Sequence, residues 1–192
     1  MLRQVNPIPF TYEDYLLFPE DGKRHEIIEG EYYMSPAPMT RHQRISGKLF
    51  KAFDNFLEQY SREAVPPLGE VFYAPMDVVL SDLNIVQPDL LFIAASHSAI
   101  ITEKNIQGPP DLVIEILSES TRKIDERIKR NLYARFGVQE YWIVDPELET
   151  VKVYRITDTG YACADAFSRE SGEAITTPLL PHFTTSLTQI FR

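Results

Sequence analysis

Two short runs near the middle of the chain decide how it can fold. Residues 88–93 read PDLLFI and residues 110–117 read PDLVIEIL. Side chains alternate along an extended strand, so Leu112, Ile114 and Ile116 share one face, while Asp111, Val113, Glu115 and Leu117 share the other. Both faces are mostly apolar, which marks an interior strand covered on both sides. A chain with such strands must build a central sheet and cover it with further layers. The same runs carry acids, Asp89 at the head of the first and Glu115 inside the second. An ionised carboxylate is costly to bury unless a cation, a hydrogen-bond network or a metal ion meets it.

The remaining segments supply the covering layers. TYEDYLLF, from Thr11, opens with an N-cap and acids in its first turn, and predicts a short helix ended by Pro19. RHEIIEGEYYM predicts a hairpin turning at Gly30. From Thr40 to Tyr60, Ile45, Leu49, Ala52, Phe53, Phe56 and Leu57 recur at helical spacing and predict a long helix with one buried face. Extended segments follow around 70–73, 77–80, 86–93 and 111–117. A second helix is predicted from Thr121 to Phe136, with Ser120 as N-cap and Gly137 as stop. EYWIVD reads as a strand, with Tyr141 and Trp142 in the core. TVKVYRI and GYACADAFS read as a hairpin, and TSLTQIF as a terminal helix. Helices and strands mix without strict alternation, and 192 residues suffice for one domain with a sizeable core. The expected fold is therefore α/β of the α+β kind, a mixed central β-sheet flanked by helices, with residues 1–192 in a single domain.

Charge and cysteine content narrow the function classes. A net charge of −9 counts against a non-specific polyanion binder. One cysteine, Cys163, allows neither an intramolecular disulfide nor a Cys-based zinc site. MLRQVNPIPF lacks the apolar core of a signal peptide and no run reaches the length of a membrane span, so a reducing cytoplasm and no membrane partner are expected. GxSxG, Walker A and dinucleotide glycine patterns are absent. The four histidines, His25, His42, His97 and His182, lack ligand spacing and read as surface or packing residues.

The acids then need partners. Asp111 lies four residues from Glu115, roughly 13 Å along a strand and too far to share one ion, whereas a neighbouring strand lies about 5 Å away. Asp89 is the better partner if the two runs pair, and Asp77 could reach the same area from a third strand. On the second helix, Ile124, Ile128 and Leu132 recur every fourth residue and should face the sheet. Asp125, Lys129 and Tyr133 form the adjacent stripe, from which a lysine can bury its stem and extend its amine to the core's edge. Arg122, Lys123, Arg127 and Arg130 make the rest of that helix basic, the one surface suited to phosphate. Plainer readings stand beside these. Asp125 and Lys129 form an i,i+4 pair that by default is solvated. Asp89 after Pro88 can cap a turn, and Glu115 can pair with an arginine. Glu26, Glu29 and Glu31 alternate toward solvent, although one of them could complete a metal shell.

The succession IVQPDLLFI, GPPDLVIEILSEST and DERIKRNLYARFGVQEYWIVDP resembles the Uma-two family of endonucleases, which is grouped with the PD-(D/E)xK restriction-endonuclease-like superfamily. HEIIEGEYYMSP and the helix at 40–60 fit the family's N-terminal half, so the likeness covers most of the chain. It implies a restriction-endonuclease-like fold and hydrolysis of phosphodiester bonds. In the superfamily an Asp after Pro, an acid in the next core strand and a Lys two positions later bind a divalent metal and activate water. Asp89 fills the first position and Glu115 the second. The third departs, because Leu117 stands two residues after Glu115, and Lys129 on the following helix is taken as the displaced lysine. The implied ligands of Mg²⁺ or Mn²⁺ are Asp89, Glu115 and the backbone carbonyl of Ile116. Nucleic acid, DNA first, is the implied partner, and a homodimer the implied assembly. A second class stays open: an inactive relative kept as a nucleic-acid-binding or protein-interaction module. The missing strand lysine and acidic charge favour it, whereas the Asp89–Glu115 pair and the basic helix favour a nuclease.

Overall fold

The hairpin at 24–34 seeds one of three sheets found among the described residues, which in this computed structural model are 8–63 and 66–192. Part of the opening stretch read for a targeting signal, residues 1–7, lies outside that range. Along the chain come helix α1 (Tyr12–Tyr15), strands β1 (Arg24–Ile28) and β2 (Glu31–Ser35), and the long helix α2 (Thr40–Glu63). Strands β3 (Gly69–Tyr73), β4 (Val78–Ser81), β5 (Asn84–Val86) and β6 (Leu90–Ala94) follow, then a 3₁₀ turn (Ala95–Ile100), β7 (Ile106–Gln107) and β8 (Leu112–Ile116). A π-helical turn (Ile124–Lys129) runs directly into α3 (Arg130–Phe136). The chain closes with β9 (Glu140–Asp145), β10 (Thr150–Thr157), β11 (Gly160–Ser168), β12 (Ala174–Thr177), β13 (Leu180–Ser186) and α4 (Leu187–Ile190).

Local chemistry explains the ends of these elements. Glu29 and Gly30, between β1 and β2, have φ of 55° and 76°, the pair of positive values that a tight type I′ hairpin turn requires. Gly30 is also held by its surroundings, since a Cβ there would stand 2.4 Å from Pro9 Cβ. Thr11 and Asp14 cap α1 reciprocally, but the helix stops at Tyr15, well before Pro19. Its last carbonyls are taken by tighter i→i+3 bonds from Leu17 and Phe18. Gly137 ends α3 in the left-handed conformation, φ 80°, as expected.

Strand order in the first sheet is β2-β1-β5-β4-β7, and in the second β11-β10-β9-β8-β6-β3, with β12 and β13 forming a small third sheet. β8 and β9 pair in parallel, joined through α3, while β8 and β6 pair antiparallel with Ile114 opposite Leu90. The second sheet is thus mixed and flanked by helices. Leu112, Ile114 and Ile116 pack with Ile45, Leu49 and Phe53 of α2 on one face. Val113 and Leu117 pack on the other face with Ile28, Val78 and Val86 of the first sheet and with Leu132 and Tyr133 of α3. The run LVIEIL is covered on both sides, and each fully buried Leu, Ile or Phe there contributes about 2 kcal/mol.

Three further expectations need correction. The segment 86–93 is two strands: β5 ends in the first sheet at Val86, and β6 begins in the second at Leu90. Pro88 between them has no N–H to give a ladder. The second helix buries Asp125, Lys129, Leu132 and Tyr133, whereas Ile124 and Ile128 are only half-buried. The π turn takes more residues per turn than an α-helix, so the buried stripe departs from the 3.6 period used to predict it. The start of that helix is fastened by Ser118 and Thr121, whose hydroxyls each accept the other's backbone N–H at 3.4 and 3.2 Å, and not by Ser120. The strands β7, β12 and β13 and the 3₁₀ turn carried no clear periodic signal.

Candidate active site

The break at Pro88 places Asp89 where the chain crosses from one sheet to the other. Antiparallel pairing of β6 with β8 then brings Asp89 beside Glu115, and the Asp89 backbone N–H donates to Glu115 Oε2 at 3.4 Å. Both acids line a cleft of about 460 Å³, together with Ile116 and Lys129. The four residues named from the sequence are therefore gathered in one place. Lys129 reaches the cleft from the π turn, and its Nζ lies 3.0 Å from Glu115 Oε1 and 2.7 Å from Glu26 Oε1. Asp125 stands farther off, at 3.8 Å. Lys129 and Asp125 are 4% and 2% exposed, which removes the solvated-pair reading.

Every buried acid here has a partner. Asp89 Oδ2 accepts the Ile116 N–H at 2.8 Å and lies 2.9 Å from His42 Nε2. Asp89 Oδ1 accepts from the Arg24 guanidinium at 2.5 Å. Glu115 Oε1 accepts from Lys129 and from the Tyr133 hydroxyl, each at 3.0 Å. Glu26 Oε1 accepts the Gln87 N–H at 2.7 Å. His42 Nδ1 and Gln87 Oε1 are buried polar atoms without a protein partner among the described residues.

Burial and charge set the proton affinities. Burial pushes Glu115 up to about 8, and the Asp125, Asp89 and Glu26 carboxylates add to the rise while Lys129 opposes it. Burial likewise raises Asp125 to about 6, against Lys129 and a Thr121 hydrogen bond. Burial would raise Asp89 as well, but the His42 hydrogen bond and charge, Arg24 and the Ile116 N–H hold it below the usual carboxylate range. Burial alone would lower Lys129; Glu115, Glu26 and Asp125 more than reverse it, so the ammonium stays charged. The cleft thus gathers four buried acids, Glu26, Asp89, Glu115 and Asp125, around two fixed cations, Arg24 and Lys129.

A hard divalent cation fits that excess. Among the described residues no three His, Cys, Asp or Glu side chains are arranged to hold a metal unaided, so a cage supplied wholly by side chains does not fit. Two carboxylates and one carbonyl, with water in the other positions, is a donor set that suits Mg²⁺, and Asp89, Glu115 and Ile116 can provide it.

Other candidates fall outside. Asp77 accepts from Tyr15 and Gln87 at 2.6 and 2.7 Å and does not line the cleft. Asp111 is buried for a different purpose, accepting from the Ala94 N–H and Gln139 and pairing with His97. Glu29 and Glu31 are exposed as expected, but Glu26 is 4% exposed and belongs to the site. Arg122 is held by Asp145 at 2.7 Å, with Glu126 and Glu147 nearby, and Arg130 lies over the Tyr154 ring. The basic helix is accordingly less open to phosphate than its composition suggested. Arg24 carried no sequence expectation, and His42, expected to be a surface or packing residue, instead lines the cleft 2.9 Å from Asp89 Oδ2. His42 falls three and seven residues before Ile45 and Leu49 on the buried stripe of α2, and Arg24 alternates with Glu26 on one face of β1; both signals were present in the sequence.

Comparison with known proteins agrees with this architecture. The solved structure of "a putative nuclease belonging to DUF820" from Anabaena variabilis is similar over 95% of this chain and 98% of its own, with a TM-score of 0.75 and 23% identity. That likeness shows the fold, a mixed sheet flanked by helices. Residues 12–188 match the Uma2 family, described as "Putative restriction endonuclease", and the chain belongs to that family. No curated protein matches it. Among the described residues no helix is long and apolar enough to cross a membrane.

Proposed function

We propose that the chain is a nuclease that hydrolyses phosphodiester bonds of nucleic acid, DNA first, using Mg²⁺ or Mn²⁺ held by Asp89, Glu115 and the Ile116 carbonyl. One observation carries the reading: Asp89 from the break before β6, Glu115 from β8 and the Lys129 ammonium from the π turn reach a single cleft. When bound, the divalent cation would supply a more acidic water and neutralise charge on the phosphate. Lys129, kept protonated by Glu26 and Glu115, donates N–H toward an attacking water or toward charge developing on the phosphate oxygens. Glu26 fixes the ammonium, and His42 with the Ile116 N–H fixes the plane of the Asp89 carboxylate. A cytoplasmic setting and a homodimeric assembly belong to the same reading.

A second reading has its own observation. Arg24 and Lys129 already pair with the acids, as they would in a purely structural cluster of an inactive binding module. Plasmid nicking and thermal shift, each with and without Mn²⁺, separate the two. A nuclease nicks only with the divalent ion, is stabilised by about 2.7 kcal/mol at one hundred times Kd, and loses both properties in Glu115→Gln. Wild-type protein that shows neither nicking nor shift, with a Glu115→Gln variant less stable than its parent, makes Glu115 a structural acid and ends the nuclease reading.

A further inference from the structure

Cations on the cleft wall are few. Among the described lining residues they are Arg24 and Lys129, with the His42 imidazole beside them. Lys129 is 5% exposed at its side chain and committed to Glu26 and Glu115, with Asp125 at 3.8 Å; a remaining N–H can serve the cleft in place, but the side chain cannot swing to a new partner without leaving two buried carboxylates bare. Arg24 differs. Its side chain is 21% exposed, and its guanidinium reaches from the first sheet to a single oxygen, Asp89 Oδ1. Asp89 does not depend on that bond for its orientation, because Oδ2 is held separately by His42 and the Ile116 N–H. Oδ1 is also the oxygen that a divalent cation could take at the cost of moving only one side chain, Arg24.

A guanidinium released there would keep its charge and face a cleft that Ser118, Ser120 and Thr121 also line. Its planar fork suits the oxygen pairs of carboxylate and phosphate alike. We propose that Arg24 is a substrate-binding residue held in reserve: it pairs with Asp89 while the acids lack a divalent cation, and it turns to a phosphodiester oxygen of the nucleic acid once the cation takes Asp89 Oδ1. This rests on the metal-dependent reading above. Divalent cation and Arg24 then compete for Asp89, and phosphate relieves the competition, so cation and nucleic acid strengthen each other's binding reciprocally.

Two measurements test the exchange without reading activity. In the wild-type chain, labelling of Arg24 by phenylglyoxal, followed by mass spectrometry, should rise at least threefold on adding Mn²⁺. It should fall again with a phosphorothioate DNA duplex that resists hydrolysis. In Arg24→Gln, Mn²⁺ binding without DNA, followed by the free-ion paramagnetic resonance signal, should tighten at least threefold, while duplex binding in Mn²⁺ weakens at least tenfold. If Mn²⁺ binds the wild type but leaves Arg24 labelling unchanged, or if Arg24→Gln binds Mn²⁺ no more tightly, the exchange is wrong and the metal-dependent reading survives. If the wild type binds no Mn²⁺, both are wrong. Should Arg24→Gln fail to fold, the labelling of the wild type decides alone.

Discussion

At the scale of single residues, Glu115 and Lys129 have opposite sensitivities. Glu115 is protonated more readily in the folded chain than in the unfolded one, because burial raises it from 4.5 to about 8. Where the folded state keeps a proton that the unfolded state has lost, rising pH favours unfolding. Glu115 therefore subtracts from stability increasingly between pH 4.5 and about 8, and by a constant amount above that. Glu115→Gln keeps the shape and cannot ionise, so in metal-free buffer its melting temperature should gain on the wild type across that window. A gap that is flat or reversed with pH would show that Lys129 keeps Glu115 ionised throughout. Lys129→Met should behave in the other sense. Removing the ammonium leaves Glu26, Glu115 and Asp125 buried without their cation, which costs about 3–5 kcal/mol by analogy with broken buried pairs. Urea denaturation at neutral pH should show that loss, and acidification should recover part of it by protonating the acids. A Lys129→Met protein as stable as its parent would mean that the acids find other partners.

Among the elements, the π turn Ile124–Lys129 has the largest consequence for the site. It sets Asp125, Lys129 and Tyr133 against the sheet, and one inserted residue is how such turns arise within α-helices. Deleting the exposed Arg127 should restore ordinary α-helix and turn either Asp125 or Lys129 by roughly 100°. Metal-dependent nicking should then fall at least a hundredfold with far-UV dichroism unchanged. Retention of full activity would show that Lys129 does not need this geometry. The sheet break at Gln87–Asp89 is the complementary device, since it lets Asp89 face the cleft while Leu90 enters the core.

For the whole molecule, the two large sheets share no hydrogen-bonded edge among the described residues. They are joined by one apolar cluster that includes Ile28 and Val78 from the first and Leu91 and Val113 from the second. Arg24–Asp89 and Glu26–Lys129 add two ion pairs, the first between the sheets and the second from the first sheet to the helix. An apolar cluster shared by both sheets predicts a single cooperative transition. Fluorescence of Trp142, buried in the second sheet, should change at the same urea concentration as far-UV dichroism. Two separated midpoints would divide the chain into two domains.

Periodicity and turn chemistry by themselves determined the local elements: the buried β8, the amphipathic α2, the Glu29–Gly30 turn and the Gly137 stop all follow from residue type and spacing along one segment. Strand geometry also favoured Asp89 over Asp111 as the partner of Glu115, on condition that the two runs pair, because neighbouring strands lie far closer than residues four apart on one strand; the pairing itself came from the structure. Only the tertiary structure decided that Arg24 and His42 answer Asp89 and that Glu26 shares Lys129 with Glu115. Arg24 and Glu26 lie some sixty residues or more before Asp89 and Glu115, and no local pattern encodes which side chain crosses from one sheet to the other. The π turn was hidden for a related reason: its extra residue is stabilised by ion pairs to Glu26 and Glu115 on neighbouring strands, and local helical preference alone does not supply that energy.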